Sequence, residues 1–153
     1  MSGFEKAFRK IINGVFVITT KKDDRVNGMT AAWVARASFK PPLLSVSIGK
    51  TRYSHDLIRE SGVFAVNILS GKQVAEGRHF GFKSGRKTDK FRDIEFDARK
   101  TGSPILRNTA GYLDCRVVNS CDAGDHTIFV GEVIDAEASE GVEPLLYRRE
   151  DFF

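Results

Sequence analysis

The sequence predicts a mainly β protein, an antiparallel barrel with two or three short helices, in one domain that spans residues 1–153. Three observations lead to this fold class. Six or seven runs are rich in β-branched and aromatic residues, which favour strands. Two of these runs, 112–119 and 127–137, flank the turn segment 122–125 and are typical of a hairpin. The predicted helices do not alternate regularly with the strands, which disfavours a parallel doubly wound sheet.

The first part of the chain contains most of the predicted strands. A helix is predicted over residues 5–12, where four apolar residues fall near one face, and Gly14 ends it. Residues 21–25 form a charged turn, and Pro41-Pro42 breaks the chain because proline cannot donate to a ladder. Runs of apolar and β-branched residues predict strands over 14–20, 29–35, 43–48 and 63–69.

Two further helices have predicted starting points. Ser54 can cap a short helix from His55 to Glu60. Ser70 and Gln73 form the S-x-x-Q capping box of another helix, which frays near Gly77 or Gly81. The remaining polar stretch, 82–104, is expected to be irregular, with at most a short helix near Phe91, and residues 144–147 form a short final strand.

The charge balance argues against a nucleic-acid partner. The chain has 24 Lys+Arg and 20 Asp+Glu, hence a net charge of +4, but acidic residues are interleaved throughout. Proteins that bind nucleic acid concentrate their positive charge on one face. No run reaches the roughly 20 apolar residues needed to cross a bilayer, and the first ten residues lack an apolar export segment. We therefore expect neither a nucleic-acid nor a membrane partner.

The cysteines and histidines predict neither a disulfide nor a metal site. Cys115 and Cys121 fall in one predicted strand, which would separate them by roughly 20 Å, too far for a bridge. His55, His79 and His126 share no helical i, i+4 spacing, and no cysteine lies at zinc-ligand spacing from them. These observations predict a reducing, cytoplasmic setting and no bound metal.

Two regions carry residues suited to a ligand. In the first, residues 27–33, small side chains at Gly28, Ala31 and Ala32 let a flat ligand approach the backbone, and Thr30 adds a hydroxyl. The alternative for this region is a plain β-turn that runs into a buried strand. No Gly-rich dinucleotide fingerprint, phosphate-binding P-loop or nucleophile elbow is present, so the common signatures for those chemistries are missing.

The second region, residues 49–55, suits a phosphate. Two cations and two hydroxyls precede a predicted helix N-terminus, where exposed amides and the helix dipole favour an anion. The alternative is an ordinary helix start with solvated side chains. The basic stretch 83–90 supplies a second set of donors, and its alternative is a mobile surface loop. The four side chains of the second region are Lys50, Thr51, Arg52 and Ser54.

These segments in this order resemble a known family. The pieces are GMTAAWVARASFKPPLLSVSIGKTRYSHDLIRESGVFAVNILS at 28–70, Gln73, SGRKTDKF at 84–91 and GDHTIFVGEV at 124–133. Together they resemble the flavin reductase-like family of FMN-binding split barrels, over about residues 8–147. The resemblance implies an antiparallel split β-barrel of Greek-key type that forms a homodimer, with flavin near the subunit interface.

The resemblance also implies which residues hold the flavin. One strand lies along the flavin ring, a second segment wraps the ribityl chain and phosphate, and a third adds further contacts. His126 matches a histidine that assists nicotinamide binding or hydride transfer. The implied ring contacts are Met29, Thr30, Ala31 and Ala32; the ribityl and phosphate contacts are Ser45, Ser47, Ile48, Gly49, Lys50, Thr51 and Ser54; the further contacts are Phe80, Ser84, Gly85 and Lys90.

The implied function is a flavin-dependent oxidoreductase that transfers electrons from NAD(P)H to FMN, with FAD as the alternative flavin. A monooxygenase or another protein is the implied electron acceptor. Two residues depart from the commonest pattern: Lys40 stands where many relatives have Asp, and Trp33 stands where many have Phe. Trp33 is similar to the flavoredoxin branch. The alternative function is therefore an FMN-binding electron carrier without its own NAD(P)H site.

Overall fold

The structure is a computed structural model that describes residues 1–153. The chain forms nine strands and four helices, and none of the helices is long and apolar enough to cross a membrane. The strands are β1 Phe16–Lys22, β2 Arg25–Ala31, β3 Val34–Ser38, β4 Leu43–Gly49, β5 Val63–Ile68, β6 Phe96–Ala98, β7 Pro104–Leu106, β8 Gly111–Ala123 and β9 His126–Ala138. The helices are α1 Gly3–Phe8, α2 Tyr53–Ser61, α3 Val74–Phe82 and α4 Arg149–Phe152.

Seven strands form one antiparallel sheet in the order β2-β1-β5-β8-β9-β4-β3, and β6 pairs with β7 in a separate small sheet. The mainly β, antiparallel prediction is confirmed. The large sheet is not closed by hydrogen bonds, however, because β2 and β3 are its two edges. The prediction of a single strand over 29–35 is wrong, because this stretch is divided between β2 and β3. Its first part bonds β1 and its second part bonds β4, so the chain changes partner at Ala32-Trp33.

Strand β1 is buried on both faces of the sheet. Ile18 belongs to a ten-residue core that also contains Phe64 and Phe129, whereas Val17 belongs to a second cluster with Phe80 of α3. Burial on both sides explains why this segment is apolar without interruption. Strand β4 shows the other pattern: three of its side chains alternate into the core and the rest are half-buried. β1 therefore holds α3 on one face of the sheet and the main core on the other.

The long hairpin of β8 and β9 is confirmed. Its turn contains Gly124 at a φ of +66°, a left-handed conformation that glycine adopts without strain. Both cysteines lie in β8 and are free. Burial, with a smaller contribution from Asp114, raises the pKa of the Cys115 thiol to about 12, so this side chain packs in the core as a neutral group. Cys121 is exposed.

The predicted helix boundaries needed correction. Helix α1 ends at Phe8 instead of residue 12, and none of its residues is buried. Helix α2 begins two residues earlier than predicted, at Tyr53, and its N-cap residue is Arg52. Ser54 does not cap it, because Ser54 Oγ accepts a hydrogen bond from Asn27 Nδ2 at 2.8 Å.

Helix α3 continues past both glycines at which it was predicted to fray. Its capping box is half formed: Ser70 N donates to Gln73 Oε1 at 3.0 Å, and the helix begins only at Val74. A Cβ at Gly77 would lie 2.9 Å from the Phe152 ring. Tertiary packing therefore uses the glycines as contact points and outweighs their weak intrinsic helix propensity.

Two short elements also differ from prediction. Strand β6 lies within the segment 82–104, which was predicted to be irregular, and its partner β7 begins at the last residue of that segment. The final strand predicted over 144–147 is absent as a named strand: the chain there makes only isolated bridges, Ser70 with Pro144 and Gly14 with Leu146. Backbone bonds nevertheless hold this segment in place, since Leu145 N donates to Leu69 O at 2.8 Å.

We expect Gly131→Ala to lower the free energy of unfolding by about 1–3 kcal/mol, because overpacking a closed core forces its neighbours apart. The added methyl would lie 2.6 Å from Phe64 Cζ and 2.9 Å from Cys115 Cβ, both in the main core. Urea unfolding followed by circular dichroism measures the change. Gly3→Ala, with nothing within 4 Å, is the matched control and should not destabilise. An equal loss in both variants would contradict this packing.

Candidate functional site

A groove runs between β2, the start of α2, the end of α3 and the C-terminal segment. It consists of two adjoining cavities of about 220 and 200 Å³, which share Arg52, Gly81 and Phe82. We call the first cavity the cation end and the second the apolar end. The cation end is also lined by Asn27, Met29, Thr51, Tyr53, Ser54, Lys83, Ser84, Gly85 and Lys90. The apolar end is also lined by Val15, Thr30, Ala31, Ala32, Gly77, Tyr147, Phe152 and Phe153.

The cation end is built to attract an anion. Arg52, Lys83 and Lys90 line it, and no carboxylate does. A concave site with charges of one sign raises the local concentration of counter-ions. Helix α2 starts here without a side-chain cap, and its first two residues, Tyr53 and Ser54, line the cavity. The start of a helix favours an anion through its amides and its dipole. The hydroxyls of Thr51 and Ser84 add further hydrogen-bonding groups.

A close approach between two loops shapes this end. Asn27 is buried and fixed by its bond to Ser54, which is also buried. Gly85 lies so close to them that an added Cβ would overlap the Asn27 amide and approach Tyr53 Cδ2 to 2.9 Å. Only glycine fits at this position, and its small size brings the segment 83–90 against the start of α2.

Charged side chains hold the segment 83–90 against α2. Arg86 donates to Asp56 Oδ2 at 3.2 Å, and its guanidinium lies 5.1 Å from the centre of the Tyr53 ring. The pKa of Asp56 is lowered, chiefly by its hydrogen bond with His55. His55 is buried and links Asp56 at 3.1 Å to Thr127 Oγ1 at 2.7 Å through its two ring nitrogens. This chain of bonds connects the segment to β9.

Lys90 is the most deeply buried cation of the groove. Its side chain is 2% exposed, and Nζ donates to Gly28 O at 2.8 Å and to Phe80 O at 2.9 Å. Burial, with a smaller contribution from the charge of Arg52, lowers its pKa to about 8. His79 Nε2 lies 2.7 Å from Lys90 O, which only an N–H can satisfy, and so Nδ1 accepts from Lys83 Nζ at 3.2 Å.

The apolar end has a small-residue wall and an aromatic wall. Ala31 and Ala32 present little more than backbone on one side. Thr30 Oγ1 donates to Gly77 O at 2.6 Å, so its hydroxyl proton ties β2 to α3 and is not free for a ligand. On the other side, Phe82 joins three aromatic residues of the C-terminal segment. Of these, Tyr147 and Phe152 stack at 5.7 Å with an interplanar angle of 14°.

The two regions singled out in the sequence meet in this groove, because Arg52 of the second region lines both cavities and so adjoins the first. Sequence reasoning missed the aromatic wall entirely. The only signal for it is the concentration of aromatic residues in the last seven positions. Nine predicted site residues line the groove: Met29, Thr30, Ala31, Ala32, Thr51, Ser54, Ser84, Gly85 and Lys90.

The other seven predicted site residues do not line the groove. Ile48 and Phe80 are fully buried in the two core clusters. Lys50 lines neither cavity and pairs with Asp122 at 3.2 Å. Ser45, Ser47 and Gly49 lie on β4, which pairs with β3 and β9.

The seventh of these residues, His126, lies beside the groove. Its ring centre is 4.9 Å from that of Trp33, which follows directly after the small-residue wall. Nδ1 is 2.6 Å from Asp125 Oδ1, and this hydrogen bond lowers the pKa of Asp125. A Cβ at Gly49 would lie 3.4 Å from Arg52 Cγ and 3.9 Å from His126 Nε2. One residue layer therefore separates His126 from the groove.

Comparison with known proteins gives the family. The family model described as "Flavin reductase like domain" matches residues 8–153. The chain belongs to the flavin reductase-like family. A ferric-chelate reductase (NAD(P)H) of Archaeoglobus fulgidus is 35% identical over 145 residues, which cover 93% of this chain and 85% of that protein. Other curated relatives are longer, and the flavin reductase-like chain spans between 25% and 64% of their length.

Solved structures of the flavin reductase-like family share the fold. The NADH:FAD oxidoreductase of Streptomyces globisporus matches with a TM-score of 0.88 at 30% identity, over 94% of this chain and 86% of that chain. A flavoredoxin from Methanosarcina acetivorans matches with a TM-score of 0.84 at 28% identity, over 92% and 82%. The family and these relatives support an NAD(P)H-dependent flavin reductase function.

We expect Thr30→Val to lower the free energy of unfolding by about 1–3 kcal/mol, because it leaves the Gly77 carbonyl without its hydroxyl donor. Thermal unfolding followed by circular dichroism measures the loss. The matched control is Thr51→Val, at an exposed hydroxyl in the same groove, which should stay within about 0.5 kcal/mol of the parent. If Thr30→Val is as stable as the control, the hydroxyl does not hold β2 to α3.

Proposed function

We propose that this chain is a flavin-dependent oxidoreductase that binds FMN in the groove and transfers electrons to it from NAD(P)H. The observation that carries the proposal is the joining of a cation end and an apolar end through Arg52 and Phe82. FMN has the matching composition, an anionic phosphate at one end and a flat ring system at the other. Each cavity alone is smaller than ligand pockets of roughly 300–1,000 Å³, but the two joined cavities fall within that range.

The residues present fit this cofactor. The donors at the cation end are cationic side chains, hydroxyls and helix amides, the groups that bind phosphate in proteins. At the apolar end, glycines at positions 77 and 81 and alanines at 31 and 32 leave the backbone accessible to a flat ligand. The bound flavin supplies the redox chemistry, acceptance of a hydride from NAD(P)H and onward transfer of electrons.

The chain's own residues would bind the flavin, orient it and enclose it. Arg52 lies where the two cavities meet, so it orients a ligand that occupies both. The aromatic wall of Phe82, Tyr147 and Phe152 removes water from the apolar end, which strengthens the electrostatic interactions inside it. His126 and Trp33, beside the groove, are our candidates for positioning the nicotinamide.

The relatives support the electron donor. The Archaeoglobus relative is a ferric-chelate reductase that uses NAD(P)H, and the Streptomyces structure is an NADH:FAD oxidoreductase. The second candidate function is an FMN electron carrier, supported by the flavoredoxin relative. For this chain, FMN in preference to FAD is part of the proposal, because the cation end brings three cations from different segments around one cavity, which suits a terminal phosphate.

We also propose a split-barrel homodimer with the flavin near the subunit interface, acting in the cytoplasm and passing electrons to a monooxygenase or another acceptor protein. The split barrel is supported by the absence of hydrogen-bond pairing between β2 and β3, the two edge strands of the sheet. Helix α1 and the residues after it support the dimer, since Phe4, Phe8 and Ile12 are each more than 60% exposed and large apolar groups favour a partner surface. The two free cysteines agree with a reducing compartment.

We expect the purified protein to bind FMN and riboflavin, and Arg52→Ala to weaken FMN binding about 10- to 100-fold, since a charged hydrogen bond contributes about 1.5–3 kcal/mol. Riboflavin, which lacks the phosphate, should be affected much less. Quenching of flavin fluorescence measures both dissociation constants.

The matched control is Lys50→Ala, a neighbouring cation that pairs with Asp122 outside the groove. Because exposed ion pairs contribute little, this variant should change FMN affinity less than about threefold. No binding of any flavin by the parent protein would end the proposal, and equal effects of the two substitutions would place the phosphate elsewhere.

We expect NADH or NADPH to bleach the absorbance of the bound flavin within seconds under anaerobic stopped-flow mixing. His126→Ala should slow this bleaching more than it weakens flavin binding, because His126 lies beside the groove and does not line it. Bleaching by both nucleotides that occurs only after a separate reductase is added would favour the electron carrier instead.

A further inference from the structure

Lys90 differs from the other two cations of the groove. Arg52 is half-buried and Lys83 is exposed, whereas the Lys90 side chain is 2% exposed. Two of the three N–H groups on its Nζ are bonded to main-chain oxygens of β2 and α3, at Gly28 and Phe80. The third N–H has no acceptor in the chain. A buried ammonium that lines a cavity and keeps one free donor is a site for an anionic group.

The charges around Lys90 leave its ammonium uncompensated. The ionisable side chains that share its cavity are Arg52, Tyr53 and Lys83, and none of them is acidic. From β2, only the neutral residues Asn27 and Met29 reach this cavity. From α3, His79 contacts the Lys90 main chain: its Nε2 donates to Lys90 O, and its Nδ1 accepts from Lys83 Nζ. The buried positive charge therefore lacks the counter-charge that buried charges ordinarily have.

We propose that Lys90 is a positioning residue that couples the phosphate of the ligand to a proton: its ammonium spans β2 and α3, and the phosphate monoester supplies its missing counter-charge. The inference rests on the proposed function, since it takes the phosphate of FMN as the ligand group at the cation end. Without the phosphate, the buried ammonium has no counter-charge, which is unfavourable. With the phosphate bound, the ammonium is stabilised and keeps its hydrogen bonds to Gly28 O and Phe80 O.

The direction of the pH dependence follows from this arrangement. In the free protein the pKa of Lys90 is lowered to about 8 by burial and by Arg52. A bound anion favours the charged form and raises that pKa. Binding is therefore tightest when Lys90 is already protonated, and it weakens as the pH rises through the pKa of the free protein. A phosphate monoester has its second pKa near 6, so its own charge is nearly constant between pH 7 and pH 9.

The test measures the dissociation constant of FMN between pH 7 and pH 9, with riboflavin in parallel. For one proton and a free pKa of about 8, FMN affinity should fall about tenfold over this range, while riboflavin affinity stays within twofold. Lys90→Arg keeps a charge that does not titrate, so its FMN affinity should be independent of pH. Lys83→Met, at the exposed cation of the same cavity, should bind FMN more weakly but keep the tenfold fall.

Lys90→Met guards against a failure of the arginine variant to fold, because it keeps an unbranched side chain only one atom shorter and removes the charge. It should bind FMN more weakly at pH 7 and show no fall by pH 9. A parent protein whose FMN affinity changes less than twofold from pH 7 to pH 9, or an arginine variant that keeps the tenfold fall, overturns this inference and leaves the proposed function intact. A parent protein that binds no flavin at any pH overturns both this inference and the proposed function.

Discussion

The groove exists because α3 approaches β2 more closely than two ordinary side chains would allow. A Cβ at Gly28 would lie 3.1 Å from the Phe80 ring, and a Cβ at Gly81 would lie 3.3 Å from Thr30 Cβ. The bond from Thr30 to Gly77 O and the two bonds of Lys90 then fasten the strand to the helix. Because β1 supports this pair from beneath, with one face on each core, the walls of the groove are set before any ligand arrives.

Local patterns predicted much of the fold, and tertiary contacts account for what they missed. The apolar and β-branched runs identified β1 and β4 as strands, because burial of these segments leaves a direct trace in the sequence. The prediction that Ser54 caps a helix was wrong, because Ser54 Oγ accepts a hydrogen bond from Asn27, which is distant in the chain. The glycines of α3 looked like fraying points, since nothing local shows that Phe152 packs on Gly77.

At the site, the sequence predicted which residue types are present but not where each side chain points. Lys50 and Arg52 are cations two positions apart in one loop, and the sequence treats them alike. The structure turns the first toward Asp122 and the second into the junction of the two cavities. Lys90 was predicted as a phosphate contact, and the structure adds that its ammonium also holds the main chain. Such distinctions depend on which groups meet in the folded chain. A single sequence segment does not show this, because the partners come from distant parts of the chain.

Three of the four residues of the aromatic wall come from a C-terminal segment that contributes nothing to the cation end. Tyr147, Phe152 and Phe153 lie after the last strand, and they are held by a few backbone bonds and by Phe152 against α3. Selection can therefore alter the width of the apolar end by exchanging a few terminal aromatic residues. The cation end and the architecture of the sheet would be inherited unchanged, so one scaffold can present openings of different width.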